Sequence, residues 1–194
     1  MAVRATVVQQ RTVTSPSTRS RLVHGAVTGA AAGIVGAIVM AMFAMVASLT
    51  YQHHGFFTPL FHIASTFLSP GTMMTSAQHA MAGQNFFFAF GPAILGAIVH
   101  MMIGAMYGAV LGVAVSLVRS RARGAALIAA GAVWGVIVFV VSSWIALPIA
   151  ASLFGSGDQI THMARMVGYP TFLIEHIIFG ATAGAALLRW RSRR

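Results

Sequence analysis

The sequence predicts an all-α membrane protein: a bundle of four membrane-spanning helices with short interfacial helices on its outer face. Apolar residues make up 58% of the 194 residues, charged residues only 7%, and the mean hydropathy is +0.83. No Asp, Glu, Lys or Arg occurs in the 97 residues from Leu22 to Val118, whereas one spanning helix needs roughly 20 apolar residues. This composition excludes a soluble globular domain and an intrinsically disordered chain.

Four apolar segments are long enough to cross a bilayer. The predicted spans cover about residues 23–49, 92–118, 125–154 and 171–188 of the membrane domain 22–188. The remaining parts are a basic arm at 1–21, an outer interfacial segment at 50–91 and a basic tail at 189–194. Pro148 predicts a kink near one end of the third span, since proline cannot donate a helical hydrogen bond.

The arginines predict the orientation of the spans. All 12 basic residues are arginine, and only Arg165 falls on the side opposite the other 11, which are Arg4, Arg11, Arg19, Arg21, Arg119, Arg121, Arg123, Arg189, Arg191, Arg193 and Arg194. Basic residues concentrate on the cytoplasmic side, so both termini are expected there. The abundance of Arg, Gly and Ala is typical of GC-rich bacterial genomes, which predicts a bacterial cytoplasmic membrane. These charges flank apolar helices, which favours lipid headgroups over nucleic acid as their partner.

The outer segment from residue 50 to 91 is unusual because it carries no formal charge. It contains eight phenylalanines: Phe56, Phe57, Phe61, Phe67, Phe86, Phe87, Phe88 and Phe90. Such a segment is tolerated in the headgroup region or where protein covers it. We therefore expect two short interfacial helices, at about 58–68 and 72–82, separated at Pro70-Gly71.

Spans two and four share the pattern His-x3-Gly-x3-Gly, which begins at His100 and at His176. Residues four apart lie on one helix face, and glycine there allows close helix contact. With both spans running inward, the chain is predicted to form two helical hairpins related as a parallel repeat. The glycines predicted to pack helices are Gly25, Gly29, Gly33, Gly96, Gly104, Gly108, Gly112, Gly131, Gly135, Gly180 and Gly184.

This layout resembles a group of small four-helix bacterial membrane proteins of unknown function. They share a glycine-rich first helix, a Gly-x3-His second helix, a third helix ending near proline, here Pro148, and a His-x3-Gly fourth helix. The resemblance covers roughly residues 25–188. It implies the four-helix fold and no activity.

Three ionisable side chains within the spans, two of them histidines at matching positions, stand out, and an intramembrane ionisable residue is a functional candidate. His100 and His176 are expected at similar depth, and Glu175 is the only acid within a span. One interpretation is a structural polar group that hydrogen-bonds across a glycine-lined contact. The other is a pair of axial ligands for haem b, with the glycines admitting the porphyrin edge.

A copper site is a further candidate, because imidazole and thioether ligands select Cu(I). The residues expected on the outer face are His53, His54, His62, His79, His162, Met73, Met74, Met81, Met163 and Met166. Their spacing matches no defined copper motif, and methionine also fills gaps in apolar helices. The absence of cysteine excludes thiolate metal sites, disulfides and covalent haem attachment.

The sequence does not favour an enzyme. It has no paired-carboxylate site, no Gly-x-Ser-x-Gly elbow and no Walker loop. The number of Gly-x3-Gly faces, together with the Phe-rich segment, instead favours a non-catalytic component that self-associates or joins a larger membrane complex. The alternative function is haem or copper binding with electron transfer, through His100 and His176 or through the outer His and Met residues.

Overall fold

The computed structural model describes residues 18–118 and 124–191. Within these ranges the chain is helical and has no strand, which confirms the all-α class. Four helical segments are long and apolar enough to cross a membrane: Thr18–Thr50, Phe90–Leu117, Ala125–Phe154 and Tyr169–Trp190. Most of the predicted basic arm, the arginines between the second and third spans, and residues 192–194 lie outside the described residues.

The helices are numbered in chain order. Their bounds are α1 Thr18–Thr50, α2 Thr58–Ala64, α3 Gly71–Met81, α4 Phe90–Leu117, α5 Ala125–Val141, α6 Leu147–Phe154, α7 Asp158–Thr161, α8 Met163–Val167 and α9 Tyr169–Arg191. The two predicted short helices correspond to α2 and α3. Helix α2 ends at Ala64, before the predicted residue 68, and α1 begins before the predicted first span.

The four long helices pack in the order α4, α1, α9, α5. Helix α1 lies against both α4 and α9, α9 also lies against α5, and α4 barely touches α5. The bundle is therefore closely packed on three sides and loosely closed on the fourth.

Each hairpin is joined by backbone contact at small residues. A Cβ added at Gly29 would lie 2.3 Å from the carbonyl oxygen of Gly108, and one at Gly33 would lie 2.1 Å from that of Gly104. Helices α5 and α9 meet in the same way, since a Cβ at Gly131 would lie 2.2 Å from the Gly180 oxygen. In both hairpins, a step of four residues toward the C-terminus of one helix matches a step of four residues toward the N-terminus of its partner. The two hairpins therefore share one antiparallel packing geometry.

Four short helices, α2, α3, α7 and α8, cover one end of the bundle and are called the cap below. The Ser48 hydroxyl at the end of α1 donates to the Gly55 carbonyl over 2.8 Å. The Ser156 hydroxyl donates to the Thr66 carbonyl over 2.7 Å, which ties the two connecting segments together. Helix α2 packs closely on α4, because a Cβ at Gly96 would meet the Leu60 carbonyl oxygen at 2.0 Å. The cap is thus fixed to the long helices by buried polar bonds and close backbone packing.

The third span contains a π-helical turn, Ser142–Ala146, between α5 and α6. The amide of Leu147 donates to the Ser142 carbonyl, five residues back. Pro148 follows in the first turn of α6; it has no N–H to donate, and its ring crowds the carbonyl four residues earlier. The extra residue in the wider turn relieves this conflict at the position where the sequence predicts a kink, and π turns of this kind are frequent at functional sites.

Candidate functional site

A cavity of about 610 Å³ lies between the long helices and extends under the cap. Its wall on α1 is formed by small side chains on one helix face, Ala37, Ala41 and Ala44. Larger apolar side chains, including Leu147, Phe172 and Phe179, complete the wall. The volume falls in the range of cavities that hold small-molecule ligands, and apolar walls with a few polar groups are typical of such sites.

The cavity reaches the outside of the bundle on its loosely closed side. Ile103 and Met106 of α4 line the cavity, yet their side chains are 45% and 54% exposed. Phe154 at the end of α6 also lines it and is exposed. Because α4 barely touches α5, these residues border an opening between the second and third spans. The opening therefore lies among apolar side chains on the surface of the bundle.

Glu175 is the acidic side chain of the cavity. It lines the cavity from α9 and is only 4% exposed. Among the described residues it has no hydrogen-bond or ion-pair partner, and no Arg lines the cavity. An unpaired carboxyl group in apolar surroundings costs free energy, and most buried polar groups are hydrogen-bonded. The carboxyl group therefore retains unused hydrogen-bonding capacity inside the cavity.

His176 follows Glu175 and also lines the cavity. Its Nδ1 lies 2.7 Å from the carbonyl oxygen of Phe172, one turn earlier in α9. Since a carbonyl oxygen can only accept, Nδ1 carries the proton, and in the neutral ring Nε2 carries a lone pair. The ring is held by the aromatic rings of Phe172 and Phe139, with centroids at 4.4 and 6.1 Å. His176 is thus a fixed imidazole whose Nε2 has no protein partner within the described ranges.

His100 lines the cavity from α4 and bridges two helices. Its Nε2 donates to the Ala37 carbonyl of α1 over 3.0 Å. By the same argument its Nδ1 is the unprotonated nitrogen, and it has no partner in the described part of the chain. The structure therefore brings His100, Glu175 and His176 together around one cavity, without a hydrogen bond between any two of them.

Two further hydroxyl groups in the cavity lining were not predicted from the sequence. Tyr107 of α4 and Ser142 of the π turn line the cavity, and neither hydroxyl has a hydrogen-bond partner among the described residues. The signal for Ser142 is the Ser142-Ser143 pair inside an apolar span shortly before Pro148. Tyr107 carries no such signal, because an aromatic residue in a spanning helix usually packs against its neighbours.

The residues present do not fit a haem held by both histidines. His100 uses Nε2 in its bond to Ala37. The glycines that follow each histidine face another helix: a Cβ at Gly104 would meet Ala37, and one at Gly180 would meet Gly131. No slot for a porphyrin edge opens at these glycines.

The predicted copper ligands are divided between the cavity and the surface. His54, His62, Met73, Met74, Met163 and Met166 line the cap end of the cavity. His53, His79, His162 and Met81 do not line it, since His79 stacks on Phe87 and His162 faces Asp158 at 3.7 Å. Nε2 of His62 is bonded to the Gln159 carbonyl over 2.8 Å. Within the described ranges, no three His, Asp or Glu side chains form a group that could hold a metal ion.

All eleven predicted packing glycines lie against another part of the same chain. Eight of them lie closest to backbone atoms of the partner helix and join α1 to α4 or α5 to α9. Gly25 and Gly104 lie in the contact between α1 and α4, closest to the side chains of Ser116 and Ala37, and Gly96 lies against the Leu60 carbonyl. These faces are thus occupied within one chain. They offer no additional glycine surface to a second copy.

Comparison with protein-family models, with curated proteins and with solved structures finds no match for this chain. The resemblance to small four-helix bacterial membrane proteins therefore stays a prediction.

Proposed function

We propose that this multi-pass membrane protein is a binding protein that holds a small lipophilic molecule in its intramembrane cavity. The single observation that carries the proposal is the carboxyl group of Glu175, buried without a partner in an apolar cavity that opens through the side of the bundle. A ligand with a polar head and an apolar body satisfies that group and fills the remaining volume.

The surroundings of Ser142 favour binding over catalysis. A serine nucleophile needs a base within hydrogen-bond reach, but the Ser142 hydroxyl has no such bond in the described part of the chain, although His176 lines the same cavity. The imidazole of His176 is instead oriented by the Phe172 carbonyl. The polar groups are thus arranged as hydrogen-bonding partners for a bound molecule.

The opening between α4 and α5 supports entry from the bilayer. Met102, Ile103 and Met106 line it and are exposed on the apolar side of α4. If the arginine-rich segments are cytoplasmic, the cap lies on the outer side and the ligand enters from the outer leaflet. The protein then acts as an accessory component that stores, presents or senses this molecule for a membrane system.

A cavity-filling substitution tests the proposal. Ala44→Trp places a large ring in the cavity, and Val46→Trp is the matched control, since Val46 is 47% exposed on the same helix and does not line the cavity. Each variant is purified from native membranes in mild detergent and examined by native mass spectrometry. The expected result is a small-molecule adduct on the wild type and on Val46→Trp, and none on Ala44→Trp. Retention of the same adduct by Ala44→Trp, or no adduct on the wild type even after incubation with native lipid extract, would refute the proposal.

A further inference from the structure

Three of the four polar side chains that α4 and α9 contribute to the cavity can accept hydrogen bonds: His100, Glu175 and His176, with Tyr107 as the fourth. Nδ1 of His100 and Nε2 of His176 each present a lone pair, because the other ring nitrogen donates to a backbone carbonyl. Glu175 adds a carboxyl group with no cationic side chain beside it in the described part of the chain, since no Arg is among the residues that line the cavity. A ligand that complements this set must donate hydrogen bonds, and a basic ligand that takes the proton of Glu175 also forms an ion pair with it.

We infer that the ligand is a lipophilic amine, bound as its ammonium ion with the head at Glu175, in the part of the cavity that His100 and His176 also line. This inference rests on the proposed binding function and specifies its chemical class. A primary ammonium group has three N–H donors and no acceptor, so it can donate to the carboxyl group or to an imidazole lone pair. Charge-assisted bonds of this kind are stronger than neutral ones, and they are least screened in an apolar site.

A carboxylate, an alcohol or a metal ion complements the cavity less well than an amine. A fatty-acid carboxylate would face the Glu175 carboxyl group and two imidazole lone pairs, with no Arg among the described lining residues to neutralise it. An alcohol supplies one donor and forms no ion pair with Glu175. A bare metal ion is disfavoured because His100, Glu175 and His176 do not form a group able to hold one.

The apolar part of the ligand has a defined place in the cavity. Beyond the polar head, the walls consist of Met40, Leu147, Ala150 and other apolar side chains, and they continue to the opening near Ile103. An alkyl or aryl chain that runs this way leaves the amine at the buried end. The cavity thus separates a cation site from an apolar tail site, as a binding site for an amphiphile requires.

Four amphiphiles with the same twelve-carbon chain test the inference: dodecylamine, dodecyltrimethylammonium, dodecanol and dodecanoate. Equimolar mixtures are offered to the purified full-length protein in neutral detergent, and bound species are counted by native mass spectrometry. Dodecylamine is expected to occupy the protein about tenfold or more above dodecanol. Dodecyltrimethylammonium is expected to fall below dodecylamine, because it carries the charge but no N–H donor.

Glu175→Gln keeps the shape of the side chain and removes its charge. This variant is expected to lose the preference for dodecylamine over dodecanol, while Asp158→Asn, the same kind of change at an exposed carboxyl group that does not line the cavity, leaves that preference in place. Equal occupancy of the wild type by dodecylamine and dodecanol overturns the amine inference and leaves the binding function standing. That comparison needs no variant and holds even if Glu175→Gln does not fold. If no amphiphile binds and Ala44→Trp behaves as the wild type, the binding function itself fails.

Discussion

Gly33 provides a direct test of how closely α1 and α4 pack. In Gly33→Ala the new Cβ would lie 2.1 Å from the carbonyl oxygen of Gly104 and 2.8 Å from the Cα of Gly108. Ordinary contact begins at 3.4 Å, so the two helices would have to separate by roughly 1 Å in a closely packed interior. Both obstacles are backbone atoms, which cannot rotate away as a side-chain tip can.

The expected cost of Gly33→Ala follows from that separation. Overpacking a tight interior typically costs about 1–3 kcal/mol, and the better helix propensity of alanine offsets about 0.5–1 kcal/mol of it. We therefore expect a net loss of about 1–2 kcal/mol in the free energy of unfolding. The shift also stretches the bond from His100 to the Ala37 carbonyl, which lies one turn further along the same contact.

Gly91→Ala is the matched control for Gly33→Ala. Gly91 lies in the first turn of α4 before Pro92, and a Cβ there has no atom within 4 Å apart from its two chain neighbours, so the replacement introduces no contact between helices. Both variants are unfolded by titration with sodium dodecyl sulfate in mixed micelles, and helicity is followed by circular dichroism. The expected order of stability places Gly33→Ala below both the wild type and Gly91→Ala. A Gly33→Ala variant as stable as Gly91→Ala would show that the two helices are not in backbone contact at this point.

Three further predictions concern the cap and the helix bridge. Ser48→Ala removes the buried bond to the Gly55 carbonyl and should cost about 1–2 kcal/mol of stability, measured by the same titration, whereas Thr50→Ala at an exposed site should cost less. His100→Phe removes the bond to Ala37 and should cost about 0.6–2 kcal/mol, and no loss would contradict the bridging role. Burial lowers the pKa of His62 below its usual 6.5. The hydrogen bond to the Gln159 carbonyl opposes this shift, and His54 lowers the pKa by a smaller amount. The folded cap therefore favours the neutral ring, and cap stability should be complete above pH 6.5 and fall as the pH drops through the lower folded pKa. Hydrogen exchange of α2 measures this, and His62→Gln should abolish the pH dependence.

Several parts of the fold could be predicted from local patterns. Long apolar stretches locate the four spans because hydrophobic length is a property of each segment by itself. Pro148 indicates the irregular turn in the third span because it lacks an N–H wherever the helix packs. The short helices on either side of Pro70-Gly71 follow from the same kind of local signal.

Only part of the candidate site could be predicted from the sequence. The patterns single out His100, Glu175 and His176 as intramembrane polar residues, and the structure places all three on one cavity. The sequence gives no sign that the glycines after each histidine are covered by α1 and α5. That depends on how each helix is rotated about its axis, which a spacing of four residues leaves open.

The sequence by itself determined that this chain forms apolar helices, where they begin and end within a few residues, and that very few ionisable groups lie within them. The tertiary structure decided which imidazole nitrogen is used, that Glu175 has no partner among the described residues, and that Ala37, Ala41 and Ala44 leave a cavity open beside α4. The physical reason is that burial in lipid is set by the composition of each segment, whereas hydrogen-bond partners and cavities arise only where side chains from separate helices meet.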